Sequence, residues 1–308
     1  MPKKAPYSPD QREVLSMLRG KEKVALMAAP AFAVDFDYKR FVPQMKGMGF
    51  DVVSELTFGA KIVNQLYHRY IKEHYTDNVR PRRKGKAPAS RKKGANFQER
   101  FISSVCPASV ELIRNRYPEL KKFLLPFDSP MAAMAKIIRK NYPSHKIVFL
   151  APCPAKKAEA RTMSPRIIDA SVTFAEMKGI VNGERPRMKR GPHLFDSFYN
   201  DYTKVYPLAG GLSETLHSKD ILLEKEMVAC DGCTDIVRLF SSHPDKVFYD
   251  MLFCDGGCIG GPGVSSKMPL YLRKKSITGY MKVAKRESMR GAQGLDRYTE
   301  GLDFSRKF

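Results

Sequence analysis

The chain has 308 residues, 43% of them hydrophobic, and a formal net charge of +22. This is enough apolar material for one large domain or two lobes, while no apolar run approaches the roughly 20 residues of a membrane helix. Six cysteines in a long chain without a visible secretory signal do not fit a secreted disulfide framework. We therefore expect a cytoplasmic protein with reduced thiols or metal ligands.

The first part of the chain alternates helix and strand signals. Ser8, Pro9 and Gln11 have the spacing of an N-cap, first helical position and capping partner, and Gly20 ends that helix. The next segments are predicted as strand, helix, strand and helix: KVALMAAPAFA, KRFVPQMKGMGF, DVVSEL and GAKIVNQLYHRYIKEHY.

A basic insertion is predicted at residues 78–96. Its centre, 79–93, has no acidic residue and no aromatic ring. We expect a solvated loop there, with an arm for nucleic acid or a partner as the alternative. The net charge itself favours anionic partners, either nucleic acid or an acidic protein.

The second part repeats the alternation. A strand followed by a helix is predicted in each of FISSVCPASVELIRNRYPEL, IDASVTFAEMKGIV and EKEMVACDGCTDIVRLF. A helix is predicted in SPMAAMAKIIRKNYP. A strand is predicted at the start of KIVFLAPCPAKKAEA and of DKVFYDMLFCDGGCIGGPG. We predict a helix within 1–21, a main domain over 22–265 and a wrapping tail over 266–308. The strands are apolar throughout, which is typical of an α/β fold with sheets covered on both faces.

Cysteines follow these buried strands. Cys106, Cys153 and Cys254 each come directly after one, as Pro30 does, and Cys258 lies four residues beyond Cys254. The carboxyl ends of strands form the ligand crevice in open α/β sheets. Four thiolates are what a 4Fe-4S cluster requires, so these cysteines are candidate cluster ligands.

Two other interpretations remain open for the thiols. Cys230 and Cys233 are expected to be buried free thiols, a common state for cysteine. Alternatively, Cys230 and Cys233 with Cys254 and Cys258 form C-x2-C-x20-C-x3-C, a spacing not far from that of a zinc ribbon.

Three of these segments match a known family in its own order: SSVCPASVELIRNRYPEL at 103–120, APCPAKKAEA at 151–160 and FCDGGCIGGPG at 253–263. Shorter matches are AAPAFA, GFDVVSELTFGA, SPM and YPLAGGL. The chain resembles the cluster-binding domain of FeFe hydrogenases from about residue 22 to 265. The form CDGGCIGGP is most similar to the sensory or poorly characterised branches.

The resemblance implies two lobes, each with a mostly parallel sheet flanked by helices, and a cluster in the cleft between them. That H-cluster is a 4Fe-4S cubane joined to a diiron centre with CO, cyanide and azadithiolate ligands. By resemblance, Cys106, Cys153, Cys254 and Cys258 bind the cubane and Cys258 bridges to the diiron centre. Lys156 would hydrogen-bond one cyanide, and Pro30, Ala31 and Met131 would shape the pocket.

The sequence departs from the family where protons move. The family's relay cysteine before the first ligand is Val105 here, and its paired glutamates fall in a region where Asn64, Gln65 and His68 are the candidates. Only His68 of these three titrates near neutrality. Ala151 and Leu252 stand where methionines are usual. General acid–base transfer typically supplies about 10²–10⁴-fold, so we expect slow turnover or a sensing role.

Four functions are therefore compared. The first is a minimal FeFe hydrogenase. Because no ferredoxin-like cysteine runs precede the domain, we expect it to exchange electrons directly with an acidic ferredoxin or similar carrier. It would receive its diiron centre from maturation proteins. The second is a hydrogenase-like H₂ sensor or regulator, and the third a cubane-only relative of iron–sulfur assembly proteins. A basic nucleic-acid-binding protein is the fourth, and we expect neither nucleic acid nor membrane as a partner.

Overall fold

The computed structural model describes residues 6–75, 100–189, 191, 194–196, 198, 202–216, 221–222, 224–232, 235–284 and 295–308. The basic insertion predicted at 78–96 and Cys233 lie outside the described residues. Within the described ranges, no helix is both long enough and apolar enough to span a membrane.

Strands and helices alternate along most of the chain. The strands are β1 Val24–Ala28, β2 Val52–Glu55, β3 Phe101–Ile102, β4 Lys146–Ala151, β5 Ala170–Thr173, β6 Met227–Cys230 and β7 Phe248–Met251. The helices are α1 Pro9–Arg19, α2 Tyr38–Met48, α3 Thr57–His74, α4 Pro107–Arg116, α5 Pro130–Asn141, α6 Pro154–Thr162, α7 Phe174–Glu184, α8 Gly211–Thr215, α9 Ile236–Ser242, α10 Leu270–Ala284 and α11 Leu295–Thr299.

Two separate parallel sheets organise the fold. The larger has the order β2-β1-β4-β5 and the smaller the order β3-β7-β6, and every strand pair in both is parallel. All residues of β1, β2, β5 and β7 are buried. Strands buried on both faces need no polar alternation, so the predicted α/β class with two parallel sheets is confirmed.

Local signals position the helices as predicted. Ser8 and Gln11 form a complete capping box on α1, and Gly20 is its C-cap. Ser129 caps α5, with Pro130 at the first position. α2 continues through Pro43 and ends at Gly49, whose φ of 109° is left-handed and favours glycine.

The largest departure lies near the C-terminus. The segment predicted as a wrapping tail contains α10, a helix of 15 residues. Ile277 and Tyr280 of this helix are buried, and it packs on the 3₁₀ turns Pro30–Val34 and Tyr202–Val205. The Tyr280 hydroxyl donates to Glu55 (2.6 Å), which also pairs with Lys204 (2.6 Å) at side-chain exposures of only 1% each. α10 is therefore an integral part of the domain.

Candidate metal-cluster site

Four strands from the two sheets end at one cavity. β1 and β4 are neighbours in the larger sheet and lead into Pro30 and Cys153, while β3 and β7 are neighbours in the smaller sheet and lead into Cys106 and Cys254. The cavity has a volume of about 550 Å³. The structure brings all the predicted site residues to its wall: Pro30, Ala31, Cys106, Met131, Cys153, Lys156, Cys254 and Cys258. Their individual roles stay predictions.

Two of the four cysteines lie at the N-termini of helices. Cys106 is the N-cap of α4 and Cys153 the N-cap of α6, each followed by proline at the first helical position. Both cysteines line the cavity, so their sulfur atoms are available to it. The positive end of a helix dipole also stabilises a thiolate.

The glycine-rich loop carries the other two cysteines. Gly256 and Gly257 have φ values of 76° and 72°, a left-handed region that glycine enters without a Cβ penalty. A Cβ on Gly263 would lie 2.6 Å from the Pro152 carbonyl oxygen, and the Gly263 N–H donates to that same oxygen at 2.9 Å. The glycines therefore let this loop pack backbone to backbone against the loop that holds Cys153.

The backbone hydrogen bonds of these glycines stay within the protein. The N–H groups of Gly256, Gly257, Gly261 and Gly263 all donate to oxygen atoms of the protein. Their role in the structure is to fix the loop.

Burial favours the protonated form of three of the thiols, Cys153, Cys254 and Cys258. It raises the pKa of Cys153 and, with contributions from Cys153 and Cys106, raises the pKa of Cys254 to about 11. Burial raises the pKa of Cys258 well above its ordinary value, and the other three cysteines add to that shift. The four cysteines therefore lie within electrostatic range of one another, and a metal that binds these three thiols would displace their protons.

The thiol set fits a cluster better than a single ion. All four cysteines are free, yet no group of three or more His, Cys, Asp or Glu side chains among the described residues is arranged to hold one metal ion. A single zinc ion holds its thiolates at about 2.3 Å. Four thiols spread around a cavity of about 550 Å³ suit a larger inorganic core, whose iron atoms each take one thiolate.

Cys230 differs from the prediction. Cys230 is half-buried and disulfide-bonded, so the expectation of a free thiol there is wrong. A disulfide sulfur is not a thiolate ligand, and the zinc-ribbon alternative therefore loses Cys230.

Lys156 lies on the cavity wall rather than in solvent. Its side chain is 12% exposed, and its Nζ lies 2.7 Å from Glu159 Oε2. Arg306, from the C-terminal segment, donates to the other oxygen of Glu159 at 2.5 Å. Burial raises the pKa of Glu159, but the charges of Lys156 and Arg306 outweigh burial and hold it below its ordinary range. The ionised Glu159 carboxylate therefore holds the Lys156 ammonium group at the cavity wall.

None of the three predicted relay residues lines the cavity beside Val105. Val105 lines the cavity and is 5% exposed. Behind it, the Tyr67 hydroxyl lies 2.8 Å from Ser104 Oγ, and burial raises the pKa of Tyr67 above its ordinary value. Asn64 is buried and accepts from the Tyr206 hydroxyl at 2.9 Å. Gln65 is exposed and His68 half-buried, and neither belongs to the cavity wall.

Sequence reasoning missed Tyr67 and Tyr206. Tyr206 lines the cavity, and its hydroxyl reaches Asn64, which in turn donates to Thr215 Oγ1 at 2.9 Å. The available signal was the spacing of three between Asn64 and Tyr67, which places both on one face of a helix.

Asp250 carries a buried carboxyl group in the smaller sheet. It lies on β7, four residues before Cys254, and is 2% exposed. Its Oδ2 accepts from the Ser213 N–H at 3.0 Å and from the Ser213 hydroxyl at 3.1 Å. Burial raises its pKa to about 6.

These features define a class: an α/β protein with four free cysteines around a cavity where the strands of two parallel sheets end. The profile of the family described as "Iron only hydrogenase large subunit, C-terminal domain" matches residues 22–262. The chain therefore belongs to this family.

Solved structures with the same fold are similar along nearly the whole chain. One is the apo form of a variant of the FeFe hydrogenase HydA1 from Chlamydomonas reinhardtii, with a TM-score of 0.66 and 13% identity over 95% of this chain and 94% of that one. Another is the FeFe hydrogenase HydA(ΔEFG), described for stepwise H-cluster assembly, with a TM-score of 0.63 and 14% identity over 97% and 98%. At these identities, the similarity establishes the shared fold.

Proposed function

We propose that the protein is a hydrogenase-type oxidoreductase that catalyses 2H⁺ + 2e⁻ ⇌ H₂ slowly at an H-cluster. The observation that carries the proposal is the convergence of four free cysteines, from three separate motifs, on one cavity. Membership of the iron-only hydrogenase family supports it.

The residues around the cavity have distinct roles in this proposal. Cys106, Cys153 and Cys254 would hold the cubane, and Cys258 would be the ligand on the side of the diiron centre. When bound, the cluster supplies the iron chemistry of H₂ and a store for electrons.

The protein's own side chains then control what surrounds that cluster. Lys156, held by Glu159, offers an ammonium to an anionic ligand end. Pro30, Ala31 and Met131 are buried and apolar, and they exclude water from that end of the cavity.

Slow turnover follows from the groups that replace the proton relay. Val105 has no exchangeable proton, and the hydroxyl of Tyr67 behind it has a raised pKa. These two residues also favour a second candidate, an H₂ sensor that binds the complete cluster and turns over little. A cubane-only protein is the remaining alternative for the same four cysteines.

Reconstitution followed by infrared spectroscopy tests the cofactor. The proposal expects bands from bound CO and cyanide after a synthetic diiron centre is added to the cubane-loaded protein. A loaded cubane without those bands, with matched iron content, would assign the protein to the cubane-only class.

Val105→Cys tests the relay. In reconstituted protein, the rate of hydrogen evolution from reduced methyl viologen should rise by about tenfold or more. We expect the gain to stay below the full range of about 10²–10⁴-fold for acid–base catalysis, because Tyr67 is unchanged. Val105→Ala is the matched control, since it removes bulk without adding a thiol. Equal rates in the Cys and Ala variants would show that the missing thiol does not limit turnover.

Partners and location remain part of the proposal. An acidic ferredoxin or similar carrier suits a chain of net charge +22. Maturation proteins would deliver the diiron centre. A cytoplasmic location remains a prediction.

A further inference from the structure

The C-terminal segment reaches the cavity wall through Arg306. Its guanidinium donates from Nη1 to Glu159 Oε1 at 2.5 Å, and Lys156 Nζ lies 2.7 Å from Oε2 of the same carboxylate. We call Lys156, Glu159 and Arg306 the wall cluster. Arg306 lies 147 positions after Glu159 and outside residues 22–262, which the family profile matches. Its contact with the site is therefore a feature of this chain that the family match does not cover.

Backbone pairing fixes the position of Arg306. Two hydrogen bonds, of 3.0 and 2.8 Å, pair residues 304–306 with residues 126–128, and the pairing is antiparallel. Residues 126–128 lead into α5, whose Met131 lies on the cavity wall. The guanidinium is therefore held beside an element that lines the site, and Arg306 can act on Lys156 from a fixed place.

The sharing of Glu159 sets the net charge of the wall cluster. A lysine paired with a carboxylate alone forms a neutral pair, which attracts an anion only weakly. With Arg306 on the second oxygen, two cations share one carboxylate, and the wall cluster carries one net positive charge. A neighbouring pair, Lys136 with Asp128 at 2.6 Å, adds one charge of each sign.

Lys156 keeps donors for a ligand in the cavity. Among the described residues, Glu159 is the acceptor for its Nζ, so two of the three ammonium N–H groups remain. Burial raises the pKa of Cys153 and that of Cys258, and the charge of Lys156 acts against the shift at both. The ammonium group therefore lies within electrostatic range of two of the proposed cluster ligands.

We propose that Arg306 is a positioning residue for Lys156, which it keeps available to an anionic ligand of the diiron centre by taking the second oxygen of Glu159. The inference rests on the proposed function, because that anionic ligand belongs to the proposed H-cluster. Without the Arg306 charge, both Glu159 oxygens are open to Lys156. The ammonium group then forms a neutral pair with Glu159 instead of a hydrogen bond into the cavity.

The test compares neutral and charged replacements of Arg306 in the full-length protein. Arg306→Gln and Arg306→Met remove the charge, and Arg306→Lys keeps it. Each protein is loaded first with a 4Fe-4S cubane and then with a synthetic diiron complex that carries CO and cyanide. Circular dichroism and iron content show whether the variants fold and load as wild type does.

The first measurement is the midpoint potential of the cubane before the diiron complex is added. This potential should be lower in Arg306→Gln and Arg306→Met than in wild type, because a nearby positive charge favours the reduced cluster. Arg306→Lys should restore the wild-type value. A role limited to stability would lower the unfolding midpoint in urea without moving this potential.

The second measurement is the infrared spectrum after the diiron complex is added. One cyanide band should move to lower frequency in the neutral variants, because a hydrogen bond at the cyanide nitrogen raises the C–N stretching frequency. The other cyanide band should stay in place, and Arg306→Lys should return the first band to its wild-type position.

The matched control is Arg19→Gln. It removes the same charge from an arginine that also pairs with a glutamate, Glu184, at 2.9 Å. Arg19 does not belong to the cavity wall. We expect this variant to match wild type in both the midpoint potential and the cyanide bands.

The outcomes separate the two proposals. If wild type loads no cubane, or loads one but shows no cyanide bands, the proposed function fails and the role of Arg306 fails with it. If the bands appear in wild type and lie at the same frequencies in the neutral variants and in Arg19→Gln, only the positioning role fails. Failure of both neutral variants to fold would show that Arg306 serves stability alone and would overturn the positioning role as well.

Discussion

Glu159→Gln is the perturbation that most directly probes how the site wall is held. The Glu159 side chain is 3% exposed, and it pairs with Lys156 at 2.7 Å and Arg306 at 2.5 Å. Glutamine keeps the size of the side chain but removes its charge. Both cations then lose their counterion, and the C-terminal segment loses its link to α6.

The magnitude follows from the burial of the three groups. Breaking a buried ion pair by neutralising one partner costs about 3–5 kcal/mol. Lys156 and Arg306 are 12% and 26% exposed, so each cation keeps some hydration. We therefore expect a loss near the lower end, about 3 kcal/mol of unfolding free energy.

Urea unfolding of the apo protein under reducing conditions, followed by circular dichroism, measures this loss, with the m-value unchanged. Glu184→Gln is the control, because it breaks an exposed pair with Arg19, which is 66% exposed, and should cost less than about 1 kcal/mol.

The pH dependence gives a second readout. The folded pKa of Glu159 lies below its ordinary value, so its contribution is present above the unfolded pKa and is lost on acidification. The gap between wild type and Glu159→Gln should therefore close as the pH falls through the folded pKa. A loss no greater than that of Glu184→Gln at pH 7 would refute the reasoning.

Three further predictions concern the surroundings of the site. Lys204→Met should cost about 3–5 kcal/mol in urea unfolding because it strands a buried Glu55, and Glu55→Gln/Lys204→Met should recover much of that. The folded pKa of Asp250 is about 6 against an ordinary 3.8. The folded state therefore retains a proton that the unfolded state loses, and the contribution of Asp250 to stability should fall by about 2 kcal/mol as pH rises from 4 to 7; the stability of wild type relative to Asp250→Asn in urea unfolding should show this decline, and a pH-independent difference would contradict it. Gly263→Ala would place a Cβ 2.6 Å from the Pro152 oxygen and should lower the iron bound per chain after cubane reconstitution, while full loading would show that the loop can shift.

Local signals were sufficient to predict most of the fold. Ser8, Gly20 and Ser129 act on neighbours within a few residues, so their capping roles are readable from the sequence. α10 was missed because its N-terminal half combines exposed apolar residues with lysines, and its buried contacts, such as that of Tyr280 with Glu55, join residues 225 positions apart. No periodicity within the segment reports such a contact.

The site also contains features that local sequence signals predict and features that depend on contacts between distant segments. Cys106, Cys153 and Cys254 could be grouped because strand ends converge in parallel sheets. The disulfide at Cys230 and the hydrogen bond from Tyr206 to Asn64 depend on which loops meet, which the sequence does not specify.

The loops proposed to hold a cluster and the residues proposed to move protons differ in how firmly the fold specifies their role. Several contacts fix the loops that carry the cysteines, since Gly263 packs on Pro152 and Arg273 ties the glycine-rich loop to α10. Val105, by contrast, has no exchangeable proton, and the Tyr67 hydroxyl is held by Ser104 and has a raised pKa. Under the proposed function, Lys156, held on the cavity wall by the buried Glu159 carboxylate, would offer a fixed cation to an anionic ligand of the diiron centre, a role that a cubane-only protein would not use.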